Sequence, residues 1–177
     1  MFQTNGKAPA LRWIAVLLLV LTGAAALMGC SAGANGKAAP AQTQAAAADT
    51  GADAGKDIVI PKSGVSKTVT FYPADVDGTK LEVLAVTAPD GTIRTAFNTC
   101  QVCYDSGRGY YKQEGDMLVC QNCGNRFTMD QVEVASGGCN PVPIFSKNKT
   151  EDDTNITIPY SFLKEAKVIF ANWKTEY

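Results

Sequence analysis

From about residue 67 the chain alternates between apolar and polar positions, in runs broken by turn residues. "SKTVTFYPADVDGTKLEVLAVTAPDGTIRTAFNTC" holds Asp77-Gly78 and Asp90-Gly91 between β-branched and aromatic stretches, a strong short-range hairpin signal. The pattern predicts strands near 67–72, 80–87 and 92–97, a meander that delivers Cys100 at a strand end. Leu81, Val83 and Ala85 alternate with Glu82, but Leu84 and Val86 make the later part of that run apolar on both faces. Such a strand is expected at the centre of its sheet. Further on, "GYYKQEGDMLVC" predicts another hairpin turning at Glu114-Gly115-Asp116, and "NITIP" predicts a strand. Pro141 and Pro143 mark an irregular loop, and "SFLKEAKVIF" reads as a helical turn or a last strand. With no long helical period, the expectation is a mainly β fold: a small antiparallel domain of hairpins.

The pattern is different before residue 56. Lys7 and Arg12 precede "WIAVLLLVLTGAAALMGC", a basic start and an apolar run ending in small residues. That order is a secretory signal or an N-terminal membrane anchor over 1–30. Leu27-Met28-Gly29-Cys30 resembles a bacterial lipobox, which makes Cys30 the candidate lipidation site. Both readings place the rest of the chain outside the cytoplasm, on the outer face of the cytoplasmic membrane. Residues 31–55, rich in alanine and glycine, carry no aromatic or large aliphatic side chain, so they read as a flexible linker. The working domain is then 56–177.

Composition narrows the chemistry. The 177 residues hold 16 basic and 17 acidic side chains, a net charge of −1, which makes no electrostatic case for nucleic acid. There are six cysteines and no histidine. Mixed Cys/His zinc sites, blue copper, histidine-ligated haem and Ser/His/Asp or Cys/His catalysis are all excluded. Neither Cys-x-x-Cys is followed by histidine, which excludes covalent c-type haem attachment. No phosphate-binding loop or convincing carboxylate pair stands out; Glu151-Asp152-Asp153 reads as a solvated turn.

What remains is sulfur. Cys100-x-x-Cys103 and Cys120-x-x-Cys123 each sit beside a predicted turn, with 16 residues between the pairs. Two thiolates at i and i+3 on a tight turn can face one metal, so two pairs supply four sulfurs for structural zinc or an iron–sulfur centre. Disulfides are the competing expectation in an oxidising compartment. Once Cys30 is set aside, though, an odd five cysteines remain. Cys139, in "GGCNPVPI", is open as an alternate ligand, a lid thiol or a small packed residue. Tyr110, Tyr111 and Phe127 are expected in the hairpin core, and Trp173 as an anchor of the tail on the sheet.

The blocks "AFNTCQVC", "GYYKQEGDMLVCQNCGNRF" and "GGCNPVPI", in this order, resemble the FtrD-like family of membrane-associated iron–sulfur proteins. The resemblance implies that Cys100, Cys103, Cys120 and Cys123 bind the cofactor, with Cys139 in the third block. It also implies a membrane-protein partner for redox chemistry or iron transport, such as an iron permease. "CQNCGNRF" followed by "GGCNPVPI" is similar, more weakly, to the second cluster loop and proline loop of Rieske proteins, with Cys103 and Cys123 in place of histidines.

A Rieske-like arrangement then places Cys139 and Pro141 over the centre. A 2Fe–2S cluster is favoured over 4Fe–4S, with zinc as the alternative. Four thiolates leave the oxidised core negatively charged where imidazoles would not. The potential is therefore expected toward the ferredoxin end, roughly −400 mV. Arg126 or Lys112 could offset part of that charge.

Together these readings give a membrane-tethered, extracytoplasmic iron–sulfur protein of electron transfer or iron handling, more an electron carrier or accessory subunit than an enzyme. The alternatives are a zinc-ribbon accessory module of a membrane complex and a thiol–disulfide protein. A signal without paired arginines implies export unfolded, and hence assembly of any cluster outside.

Overall fold

In the computed structural model, residues 55–134 and 136–175 are described. The expected signal or anchor, Cys30 and all but the last residue of the linker lie outside them. No helix among the described residues is long and apolar enough to cross a membrane.

Ten strands, β1 (Ile58–Pro61), β2 (Thr70–Val76), β3 (Thr79–Thr87), β4 (Ile93–Cys100), β5 (Tyr111–Glu114), β6 (Met117–Cys120), β7 (Arg126–Thr128), β8 (Pro141–Pro143), β9 (Thr150–Glu151) and β10 (Asn155–Ile158), form three antiparallel sheets. Their orders are β1-β10-β9, β2-β3-β4-β8 and β5-β6-β7. Among the described residues one short helix, α1 (Tyr160–Ala166), runs on into a 3-10 turn at Lys167–Phe170. It resolves the ambiguous 161–170 stretch in favour of helix.

The meander forms as its turn chemistry dictates. Val76 pairs with Thr79 across Asp77-Gly78, whose φ angles of 49° and 84° are those of a primed two-residue turn. The Asp75 carboxylate accepts from the Gly78 N–H at 2.8 Å and ties the turn down. The hairpin of β5 and β6 turns at Gly115-Asp116, where Glu114 pairs with Met117.

β3 is central, as its two-faced apolar pattern predicts, and its alternation divides the core. Leu81, Val83 and Ala85 pack with Phe97, Ile58, Ile60, Ile156, Ile158, Leu163, Phe170 and Trp173. Leu84 and Val86 point the other way, to Val69, Ala96, Tyr111, Leu118, Met129 and three of the cysteines. The four-stranded sheet is thus packed between a layer of α1 with β1 and β10 and a layer of the cysteine hairpin.

On the first side Phe97 packs against the rings of Phe162 and Phe170, with centroids 5.6 and 5.5 Å apart. Trp173 is 5% exposed and donates its indole N–H to the Lys80 carbonyl at 3.0 Å, the tail anchor expected of it.

One expectation is corrected. Pro141–Pro143, read as irregular loop, is β8, paired with β4 through Ala96↔Pro143, Phe97↔Val142 and Cys100↔Pro141. Proline is tolerated there because β8 lies at the sheet edge. The register slips between Phe97 and Cys100, a bulge of the kind that re-aims side chains beside a site.

Candidate metal centre

The three cysteine blocks come together through hydrogen bonds between their carrier elements. β4 ends at Cys100 and β6 at Cys120, and both strands bring their sulfurs to one end of the buried cluster. The Asn98 side-chain oxygen accepts from the Tyr111 N–H at 2.8 Å, joining β4 to β5. The Cys100 N–H donates to the Gly109 carbonyl at 2.7 Å, and the Gln121 N–H to that of Tyr110 at 2.9 Å.

The third block is fastened from two sides. Gln101 accepts the Gly137 N–H at 2.9 Å with its side chain, while its own N–H donates to the Asn140 carbonyl at 3.2 Å. The Tyr111 hydroxyl donates to the carbonyl of Cys139 itself.

All five sulfurs converge. Cys103, Cys120 and Cys123 lie within 4.8 Å of one another, and so do Cys100, Cys103 and Cys139. Cys103 belongs to both groups. Around it the other four are linked in a ring by thiol contacts: Cys100 with Cys120, Cys120 with Cys123, Cys123 with Cys139, and Cys139 with Cys100. Cys100, Cys120 and Cys103 are buried, Cys139 is half-buried, and Cys123 is exposed. None forms a disulfide.

The turns aim amides at these sulfurs. Cys103 N–H points to the Cys100 sulfur at 3.4 Å, joined by that of Val102. The N–H groups of Asn122 and Cys123 serve Cys120, and that of Asn125 serves Cys123. The second loop closes with the Gly124 N–H on the Cys120 carbonyl at 2.9 Å, at a φ of 74° that favours glycine.

The first loop is tighter still. A Cβ on Gly109 would stand 2.2 Å from the Cys103 carbonyl oxygen and 2.8 Å from the Tyr104 Cα. Gly109→Ala is therefore expected to displace Cys103 and cost about 1–3 kcal/mol, the usual range for overpacking. A urea midpoint equal to that of the parent protein would refute the close approach.

The donors fix the electrostatics. The hydrogen bond from Cys120, with the Val102 and Cys103 amides, outweighs burial and draws the Cys100 thiol down to about 4. Cys120 moves up because its proton is held in that bond and because it is buried. Burial raises Cys103. At Cys123 burial is outweighed by the Asn125 amide and by the Cys120, Cys139 and Cys103 thiols, and the thiol is lowered. Burial, then Cys123, pushes Cys139 up to about 12.

Of the four paired cysteines, Cys100 and Cys123 are lowered while Cys103 and Cys120 are raised, so the cluster shares protons that a bound metal would displace. Thr99 Oγ1 and Gln101 Nε2, on either side of Cys100 in the sequence, are buried with no hydrogen-bond partner. Such atoms call for a water, an ion or a ligand. Soft thiolates backed by amides fit an iron–sulfur centre or zinc, and with no histidine or carboxylate in either group they do not fit a hard cation.

Residues 65–170 match the family described as membrane iron-sulfur containing protein FtrD-like. The chain belongs to the FtrD-like family. No curated protein and no solved structure matches it significantly.

Within this FtrD-like domain the two expected counter-charges also have partners of their own. Arg126 pairs with Glu114 at 3.1 Å, and Lys112 lies 5.9 Å over the Tyr110 ring. Arg108 and Arg126 flank the two cysteine loops in sequence, and the Cys100 and Cys123 sulfurs themselves receive backbone amides. Two contributors escaped the sequence reading. Tyr111 was expected to pack, and it does so against Phe127, but its hydroxyl also binds the Cys139 segment.

The second is the ion pair of Lys149 with Glu133 at 2.8 Å, which also takes in Thr95. It ties the segment before Cys139 to β4, and no sequence motif marks it.

Proposed function

We propose that this protein is a membrane-tethered, extracytoplasmic iron–sulfur protein that passes single electrons to a membrane partner handling iron. The convergence of Cys100, Cys103, Cys120 and Cys123 at the ends of two hairpins carries the reading. Bound there, an iron–sulfur centre would supply a one-electron couple. The residues supply the rest. Cys100 and Cys120 form an inner pair shielded from water by Tyr111, Leu118 and Met129. Cys103 and Cys123 form an outer pair, and exposed Cys123 brings it to the surface, where electrons can cross a short gap.

No ligand imidazole is available to couple electron uptake to protonation. Three antiparallel sheets, two cysteine turns and a proline-containing third segment support a Rieske-like arrangement of a 2Fe–2S centre. The membrane attachment rests on the 1–30 signal and lipidation of Cys30. The 31–55 tether spans on the order of 25–30 Å on average, so the 56–177 domain works close to the bilayer. The iron-transport association follows from the family resemblance. Zinc is the second reading, favoured by the absence of paired arginines in the signal, since zinc can be taken up after export.

The test is an absorption spectrum with iron, zinc and acid-labile sulfide analysis of the full chain, purified in detergent without oxygen. Visible bands with iron and sulfide in equal amounts are expected. A colourless protein holding stoichiometric zinc would overturn electron transfer and leave a structural module.

A further inference from the structure

The centre has five thiols where four ligands suffice, and the surplus one is built in. Cys139 is within 4.8 Å of Cys100 and of Cys103 and contacts Cys123, so it borders three of the four expected ligands. It is also held there. Its carbonyl takes the Tyr111 hydroxyl, and the residues on either side are tied to Gln101 through Gly137 and Asn140. The Asn140 side chain closes the turn on the Gly137 carbonyl at 2.7 Å.

Of the five, Cys123 is the exposed one, on a turn whose residues 122–125 are all exposed. The ligand most open to solvent and to a docking partner therefore has a half-buried thiol at its side.

We propose that Cys139 is a reserve ligand: when Cys123 leaves the metal, Cys139 takes its place, and the centre keeps four thiolates from Cys100, Cys103, Cys120 and Cys139. The exchange balances without an electron. One metal–sulfur bond breaks and one forms, Cys139 gives up its proton, and the released Cys123 thiolate takes one up. This rests on the four-cysteine reading of the site but not on the identity of the metal. It leaves Cys123 free, during the exchange, to meet a partner's metal or thiol without loss of the centre.

The test compares the full chain with Cys123→Ser, Cys139→Ser and the double variant, each reconstituted without oxygen with iron and sulfide and, separately, with cobalt(II) as a probe of thiolate coordination. Circular dichroism checks the fold of each. Both single variants are expected to hold metal within a few-fold of the parent, and the double variant to lose affinity by about tenfold or more, at least the loss typical of disturbing a ligand's surroundings. Alkylation supplies a second readout that does not depend on variant stability: in the cobalt-loaded parent the peptide with Cys139 is labelled, and in Cys123→Ser it is protected.

If Cys123→Ser falls as far as the double variant, or if Cys139 stays labelled in it, the reserve role is wrong. The role is equally wrong if the double variant binds as well as the parent. Failure of the iron–sulfur reading looks different: the parent itself takes up no iron and sulfide, while the cobalt arm still decides the role of Cys139.

Discussion

Glu133→Ala is expected to destabilise the domain by about 3–5 kcal/mol, the range for removing one partner of a buried ion pair. Lys149 has a side chain only 2% exposed, and its ammonium reaches both Glu133 oxygens at 2.8 Å and Thr95 Oγ1 at 3.0 Å. The same carboxylate accepts the Thr95 N–H at 2.8 Å, so truncation strands an ammonium and a backbone donor together. Glu151, 3.6 Å from Lys149 but 42% exposed, compensates in part and favours the lower end of the range.

Glu133 is held at a φ of 64°, which costs a non-glycine residue about 1–2 kcal/mol, so the clamp must exceed that strain. The double variant Glu133→Ala/Lys149→Met should recover much of the loss, because apolar replacement of both partners removes the stranded charge. Urea denaturation of the set checks this. A single variant within about 1 kcal/mol of the parent would show that the pair contributes little.

Cys120→Ser should all but abolish metal binding. The residue is 1% exposed, and its sulfur contacts Cys100 and Cys123 and receives the Asn122 and Cys123 amides. Changes that merely reorient a ligand cost about 10–100-fold in metal affinity, so losing the thiolate should cost more. No spare sulfur serves this corner, because Cys139 borders Cys100, Cys103 and Cys123. Cobalt(II) titration measures the effect directly. Retention of parent-like affinity would place the metal elsewhere, and retention of the sheet signal in circular dichroism separates ligand loss from misfolding.

Much of this molecule is legible in its sequence because the information is local. Asp77-Gly78 specifies its own hairpin, the double-faced run through Leu84 and Val86 specifies a central strand, and the paired cysteines specify a thiol cluster. Long-range partners are harder to read. Lys149 lies 54 residues from Thr95 and 16 from Glu133, and each charged residue taken alone has the pattern of a solvated surface. The nearness of Cys139 depends on Tyr111, 28 residues away. β8 is hidden in the sequence because two prolines in three residues signal a loop, and the exemption for edge strands applies only once the sheet order is known. The two-residue β9 and three-residue β7 are too short to carry a period.

The positions of those prolines have a further consequence. Among the described strands proline occurs at Pro61, Pro73, Pro141 and Pro143, and each lies on an edge strand: β1, β2 or β8. In β8 the effect is directional. The Ile144 N–H turns inward to the Thr95 carbonyl at 3.2 Å, and alternation along the strand sends that of Val142 the same way. The outward positions fall to Pro141 and Pro143, which have no N–H to offer. Both prolines are themselves buried, so this rim offers a second chain neither a free donor nor an open approach, and that side of the sheet resists edge-to-edge aggregation where copies crowd together.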